Sequence, residues 1–146
     1  IDGIIDHQSY KQLCYQLYLI ADAIEHRHDF AHPDLNRRHE LVLDVAGCLG
    51  WIAPCESTKQ YLSHLAGLPQ HRLRGHIYVH YMGWLYGGQM IAKRLNLPAN
   101  HLRFQDVRAC VDHLRNTVLV GIDDNDVAEA QQAFAAVLAI YREIMP

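Results

Sequence analysis

The chain has 146 residues, half of them hydrophobic and a fifth charged, with a formal net charge of −3. Such a length and balance suit one globular domain, 1–146, built around a single core. The negative balance excludes a general attraction for nucleic acid or anionic lipid, and the basic pairs Arg37–Arg38 and Lys93–Arg94 have no aromatic residues spaced to stack bases.

Every long segment has helical period. From about Ser9 to Arg27, Leu13, Leu17, Ile20, Ala21 and Ile24 recur at spacings of three and four. Pro33-Asp34 interrupts this pattern, and a second helix is expected from about Leu35 to Leu49, carrying Leu41, Val42 and Val45 and stopping at Gly50. A short helix follows from Ser57, an expected N-cap, to Ala66, with Gly67 as its stop. The fourth is long, about Gln70 to Leu95, and ends at Asn96-Leu97-Pro98. A fifth runs from about Phe104 to Val120 with Val107, Val111, Leu114 and Val118 on one face. The last begins after Asp123-Asp124, which can cap it, and is expected to turn Val127, Ala130, Phe134, Val137, Leu138, Tyr141 and Met145 inward. No segment alternates like a strand. The fold class is therefore all-α, with about six helices.

Four cysteines, Cys14, Cys48, Cys55 and Cys110, form no C-x-x-C pair, so reduced thiols and a cytoplasmic setting are expected. No apolar run approaches the roughly 18–20 residues of a membrane helix, and the first residues read as neither a signal peptide nor an anchor. Eleven histidines are many for this length. His26, His28, His32, His39, His71 and His101 stand in polar or helix-end surroundings and are read as solvated. His76 and His80 lie four apart on one helical face, a spacing that can bind a metal. The carboxylates Glu25, Glu40 and Asp44 have no evident place opposite them, and no metal site is assigned.

The fourth helix holds an anomaly. Gly83-Trp84-Leu85-Tyr86-Gly87-Gly88 puts three glycines inside an otherwise strong helix, at a cost of about 2–3 kcal/mol against alanine. A face free of side chains admits another body to the backbone or lets the helix bend. Spacing alone leaves open whether that body is a neighbouring helix or a flat ligand.

The stretch Gly75-His76-Ile77-Tyr78-Val79-His80-Tyr81-Met82-Gly83-Trp84-Leu85-Tyr86-Gly87-Gly88-Gln89 resembles the distal helix of heme oxygenases. There, a His-x-Tyr-x-x-Tyr-Leu run leads into Gly-Asp-Leu-Ser-Gly-Gly-Gln. Leu17 to Glu25, Pro33 to Trp51, Arg115-Asn116 and Glu129 to Phe134 are similar to further segments of that family, so the resemblance covers nearly the whole chain. It implies a heme-oxygenase-like helical bundle, with heme as ligand and substrate, cleaved to biliverdin, iron and carbon monoxide using electrons from an external donor. It also implies that Gly83, Gly87 and Gly88 lie over one heme face, with Tyr78 and Phe134 bordering the pocket and Arg108 pairing a propionate.

The departures are specific. Trp84 stands where the family has the Asp that orders distal water, Tyr86 replaces a Ser and is expected to narrow the cavity, and His80 replaces a basic residue and is a candidate distal polar group. Asp112 stands where a second cation would be expected, and would repel a carboxylate. The family's axial histidine belongs to a helix preceding the matched region, so no residue here inherits that role. These departures also admit a non-catalytic protein of the same fold, acting as a binding or interaction module. Apolar surface left uncovered on the first and fourth helices predicts a homodimer or a protein partner.

Overall fold

Asp6 accepts a hydrogen bond from the Ser9 backbone N–H and opens α1, His7–Glu25. Because Asp6 supplies the cap, the helix starts and stops slightly earlier than its apolar pattern suggested. Its inward face is the one expected: Leu13, Leu17, Ile20, Ala21 and Ile24 are all buried. The computed structural model describes residues 5–46 and 52–145, which contain helices and no strand.

The second expected helix is divided. A 3₁₀ turn, Pro33–Leu35, precedes α2, Arg38–Asp44, while Leu49 and Gly50 lie outside the described residues. Arg37 accounts for the break. Its guanidinium, almost fully buried, donates to the carbonyls of Asp34, Asn36 and Arg103 and lies 4.0 Å from the Phe104 ring centroid. Burial depresses its pKa, opposed chiefly by Asp34. The basic pair of the sequence is thus half structural, and Arg37→Ala, which orphans three carbonyls and removes a stacked cation, should cost about 3 kcal/mol by urea unfolding.

Helix α3 spans Glu56–Ala66, with Cys55 rather than Ser57 at its cap position. The backbone N–H groups of Glu56 and Ser57 donate to the Glu143 carboxylate, 3.1 and 2.6 Å away. A side chain distant in sequence replaces the local cap, satisfying the open donors of the first turn.

The fourth expected helix is segmented. After a 3₁₀ turn at Gln70–Leu73, the chain forms α4, Arg74–Ile77, then a π-helical stretch, Tyr78–Met82, and α5, Gly83–Leu85. Tyr86, at φ −100° and ψ −78°, interrupts the helix, and α6 resumes over Gly87–Arg94. The glycines therefore flank a π segment and a local break in helical geometry at Tyr86.

Asp106 caps α7, Val107–Asn116, shorter than expected because Phe104 packs on Arg37 and Thr117 leaves helical geometry. Val111, Leu114 and Val118 are buried as expected. The last helix, α8, spans Asp124–Ile144 and opens with a capping box between Asp123 and Asp126. Its expected inward face is overturned. Asp126, Ala133 and Ile140 are buried, whereas Val127, Phe134, Leu138 and Tyr141 are exposed.

The reason is the close approach of α4. A Cβ on Gly75 would meet the Asp126 carbonyl oxygen, and would lie 2.8 Å from the Ala130 backbone nitrogen. Only a face of small side chains can lie there, so α8 turns its bulky residues elsewhere. Arg74 donates to the buried Asp126 carboxylate at 2.7 Å, and Arg72 donates to Asp123 at 2.7 Å, pinning the register. Helix α1 packs against α2, α3 and α8, and α8 packs against α3 and α4. No helix among the described residues is long and apolar enough to cross a membrane.

Candidate functional site

A cleft of about 230 Å³ lies between the glycine helix, α1 and α8. Leu13, Cys14 and Leu17 of α1 form one wall, Phe134, Val137 and Tyr141 of α8 another, and His80, Gly83, Trp84, Gly87 and Gly88 the third. The exposed apolar residues of α8 now have a role, since Phe134, 59% exposed, faces this cavity rather than the core. A concave, mostly apolar lining of this kind is where organic ligands bind.

Gly83 and Gly87 leave the floor bare. A Cβ at either position would meet nothing within 4 Å, so no neighbouring helix occupies their face. Gly88 differs, because its Cβ would come 2.6 Å from the Leu102 side chain. Of the two readings left open by spacing, a ligand-sized space therefore describes Gly83 and Gly87. Close packing describes Gly88 and, against another helix, Gly75.

Trp84 occupies a key corner. The indole is 8% exposed and stands edge-on to the rings of Tyr81 and His101, with centroids 4.8 and 6.0 Å away. It fills space with apolar area and offers no acceptor for water. Tyr86 does not narrow the cleft as expected. It is half exposed, and its hydroxyl accepts from Arg115 at 2.9 Å.

Two further assignments are not brought to this site. Tyr78 is 46% exposed and lines a separate surface hollow with Ile122 and Val127. Arg108 projects from α7 as an exposed residue outside the cleft lining. The phase of α7, fixed by burial of Cys110, Val111 and Leu114, turns Arg108 and Asp112 away. Among the described residues, no Lys, Arg, Asp or Glu lines the cleft.

Two histidines, His80 and His101, line the cleft, each held from behind. His101, expected to be solvated, is buried, and its Nδ1–H donates to Asp44 at 2.6 Å. Asp44 also accepts from the backbone N–H of His101 at 3.0 Å and from both Asn100 nitrogens at 2.7 and 2.8 Å. Burial alone would raise its pKa, but these donors outweigh it and hold the carboxyl below its ordinary value. The stability it confers is complete above the ordinary carboxylate range and is lost as pH falls through the depressed folded value. Asp44→Ala should therefore cost about 3 kcal/mol at pH 7 and progressively less as pH falls below the ordinary carboxylate range, as read by urea unfolding across those pH values.

His80 terminates a longer chain of hydrogen bonds. Glu129 is held below its ordinary pKa, since donation from His76 and His64 outweighs its desolvation. As an ionised acceptor it takes Nε2–H from both histidines, at 2.8 and 2.7 Å. The remaining Nδ1 of His76 accepts the Tyr61 hydroxyl at 2.6 Å, and the Tyr61 oxygen accepts Nε2–H of His80 at 2.8 Å. Burial lowers the pKa of His76 and takes that of His80 down to about 3, so both are neutral. His80 thus keeps one free lone pair, on Nδ1. His76 and His80 share a face as expected, but the group between them is a tyrosine. The carboxylate serving His76 is Glu129, while Glu25 instead accepts from Tyr81 at 2.7 Å and Asp44 serves His101.

Tyr61, Glu129, Asp44 and His101 carry this polar framework; sequence reasoning read His101 as solvated, gave Asp44 and Glu129 no role in a site, and passed over Tyr61. The available signal was Asp126-x-x-Glu129 followed by Ala133, a polar and small stripe on one face of α8.

Comparison with known proteins agrees with this architecture. The family model described as heme oxygenase matches residues 1–112. A heme oxygenase of Guillardia theta is 32% identical over 67% of this chain, and the match spans 51% of that relative's length. One from Rhodella violacea is 28% identical, covering 99% of this chain and 76% of the relative. Among solved structures, heme oxygenase-1 of the cyanobacterium Synechocystis in complex with heme superposes with a TM-score of 0.82 at 23% identity, over 98% of this chain and 80% of that one. Heme oxygenase of Leptospira interrogans gives 0.80 at 21%, over 97% and 86%. A glycine-floored cleft on an all-helical frame, joined to a family match over most of the sequence, leaves one conclusion: the chain belongs to the heme oxygenase family.

Proposed function

We propose that the chain binds heme in the cleft floored by Gly83 and Gly87 and opens the macrocycle oxidatively. The observation that carries this reading is the empty face of those two glycines, where even a methyl group would find no neighbour within 4 Å. A flat macrocycle needs such close access to backbone, and an apolar wall such as Leu13, Leu17 and Phe134 provide. Heme, when bound, supplies the iron at which dioxygen is activated.

Around it, this chain's residues divide the work. Gly83 and Gly87 set the distance of the helix from the ring, Gly88 seats the helix against Leu102, and Phe134 borders the ring's edge. His80 offers the Nδ1 lone pair as an acceptor, its other nitrogen being engaged by Tyr61. Trp84 excludes water from the corner where the family carries a carboxylate. The electron donor belongs to the same proposal. So does self-association or a protein partner, supported by the exposed Met90, Ile91 and Leu138; a strict monomer by light scattering, alone and with heme, would refute self-association.

One observation favours a second reading. With indole at position 84 and no carboxylate in the lining, the cleft lacks an acidic group to order distal water, and heme could be held without turnover. Titration with heme followed by absorbance, then addition of ascorbate, separates the readings. A Soret band saturating near one equivalent and decaying to a biliverdin-like spectrum is the expected result. A band that forms and persists supports the non-catalytic binder, and an absence of saturable binding overturns both.

A further inference from the structure

Among the described residues, two groups of side chains bring three metal-ligating atoms within 4.8 Å of one another: Cys14, Asp44 and His101 at the cleft wall, and His64, His76 and Glu129 away from it. The first is spent. Asp44 already accepts four hydrogen bonds, and burial pushes the Cys14 thiol up to about 12, so its sulfur remains protonated. The second has the opposite character. Its donors come from three separate elements, His64 from the last turn of α3, His76 from α4 and Glu129 from α8. The packing of α8 on α3 and α4 holds those elements together.

We propose that His64, His76 and Glu129, none of which lines the heme cleft, form a binding site for a divalent transition-metal ion of zinc-like chemistry. Two imidazoles and one carboxylate are a ligand set such ions favour, with a further position left for water. Glu129 Oε1 already lies 2.7 Å from His64 Nε2 and 2.8 Å from His76 Nε2. Ligands about 2.0–2.2 Å from a shared ion sit farther apart than that, so the donors must spread by several tenths of an ångström. The site can yield in this way. The His64 side chain is 39% exposed and Glu129 19%, so one ligand can swing while buried His76 stays fixed. Access is direct, because His64 lines a surface hollow with Gln60, Tyr61 and Gln132.

The outer arrangement also suits a metal. A ligating histidine usually has its second ring nitrogen held by a polar partner, which fixes the ring. His76 Nδ1 is already bonded to the Tyr61 hydroxyl at 2.6 Å. Ligation through Nε2 would place the His76 proton on Nδ1, which then donates to Tyr61. The Tyr61 hydroxyl would turn to donate to His80 Nε2, whose proton would move to Nδ1, reversing the hydrogen-bond chain and making His80 a donor rather than an acceptor at the cleft wall.

The test is calorimetric titration of the chelator-treated full chain with Zn(II), supported by the visible spectrum with Co(II), which reports coordination geometry. One saturating equivalent is expected, weakened at least tenfold in His64→Ala and in Glu129→Gln and unchanged in His71→Ala, an exposed histidine elsewhere. His64 is part exposed, so circular dichroism should show the His64→Ala fold intact. Equal affinity in His64→Ala and the parent chain, or no saturable binding, would overturn the site.

Discussion

Gly75→Ala is expected to lower the midpoint of thermal unfolding by roughly 10 °C or to prevent folding outright. The new methyl group would press on the Asp126 carbonyl oxygen and the Ala130 backbone nitrogen, and neither is the movable end of a side chain. To admit it, α8 must withdraw from α4. That movement strains the ion pair between Arg74 and Asp126, whose carboxylate is fully buried, and loosens Ala133 and Ile140 in the core. Overpacking of this kind costs about 1–3 kcal/mol even where the surroundings can shift, and here backbone must shift on both sides. A melt followed by circular dichroism measures it. A loss of under about 0.5 kcal/mol would show that the helices are not in backbone contact.

Gly83→Ala, eight residues along the same helix, should behave in the opposite way. Its backbone is helical, at φ −60° and ψ −46°, and an added Cβ meets nothing within 4 Å. Removing a helical glycine should raise stability by up to about 0.8–1.0 kcal/mol. The same methyl stands in the space proposed for the macrocycle, so heme affinity should fall about tenfold, and further for Gly83→Leu. A more stable protein that binds heme less well would identify the glycine as kept for access. A stabilised variant with unaltered heme affinity would place the ligand elsewhere.

The two glycines mark the boundary of what the sequence could reveal. Leu13, Leu17, Ile20, Ala21 and Ile24 announced the buried face of α1 because all are apolar and their spacing has only one solution. The bare face of Gly83 and Gly87 was legible too, as an energetic anomaly that needed an explanation. Gly75 was not, because a lone glycine near a helix start carries no pattern, and what it touches lies about fifty residues away in sequence. The same long-range contact hid the phase of α8. Phe134, Val137 and Tyr141 looked like core because they are large and apolar, yet they line a cavity. The face that meets α4 carries Asp126 and Ala133 instead. Arg108 and Tyr78 were placed by family resemblance and lost by geometry, since neither α7 nor the π segment turns them to the cleft. The bridge from His80 through Tyr61 and His76 to Glu129 joins three distant parts of the chain, and only the first pair had a readable spacing.

The π-helical stretch at Tyr78–Met82 bears on how the helix tolerates a change in length. A single π turn amounts to one residue inserted in an α-helix, with the surplus stored as a bulge. In a regular helix each residue turns the chain by about 100°. Removing one from α6 would swing everything beyond it through that angle. Removing Val79 should instead collapse the bulge to α-helix and leave both flanks in phase, with Gly75 still against α8 and Gly83 still over the cleft. Between those two glycines the chain carries one residue more than a straight helix would need, and the bulge is the place where it can be lost.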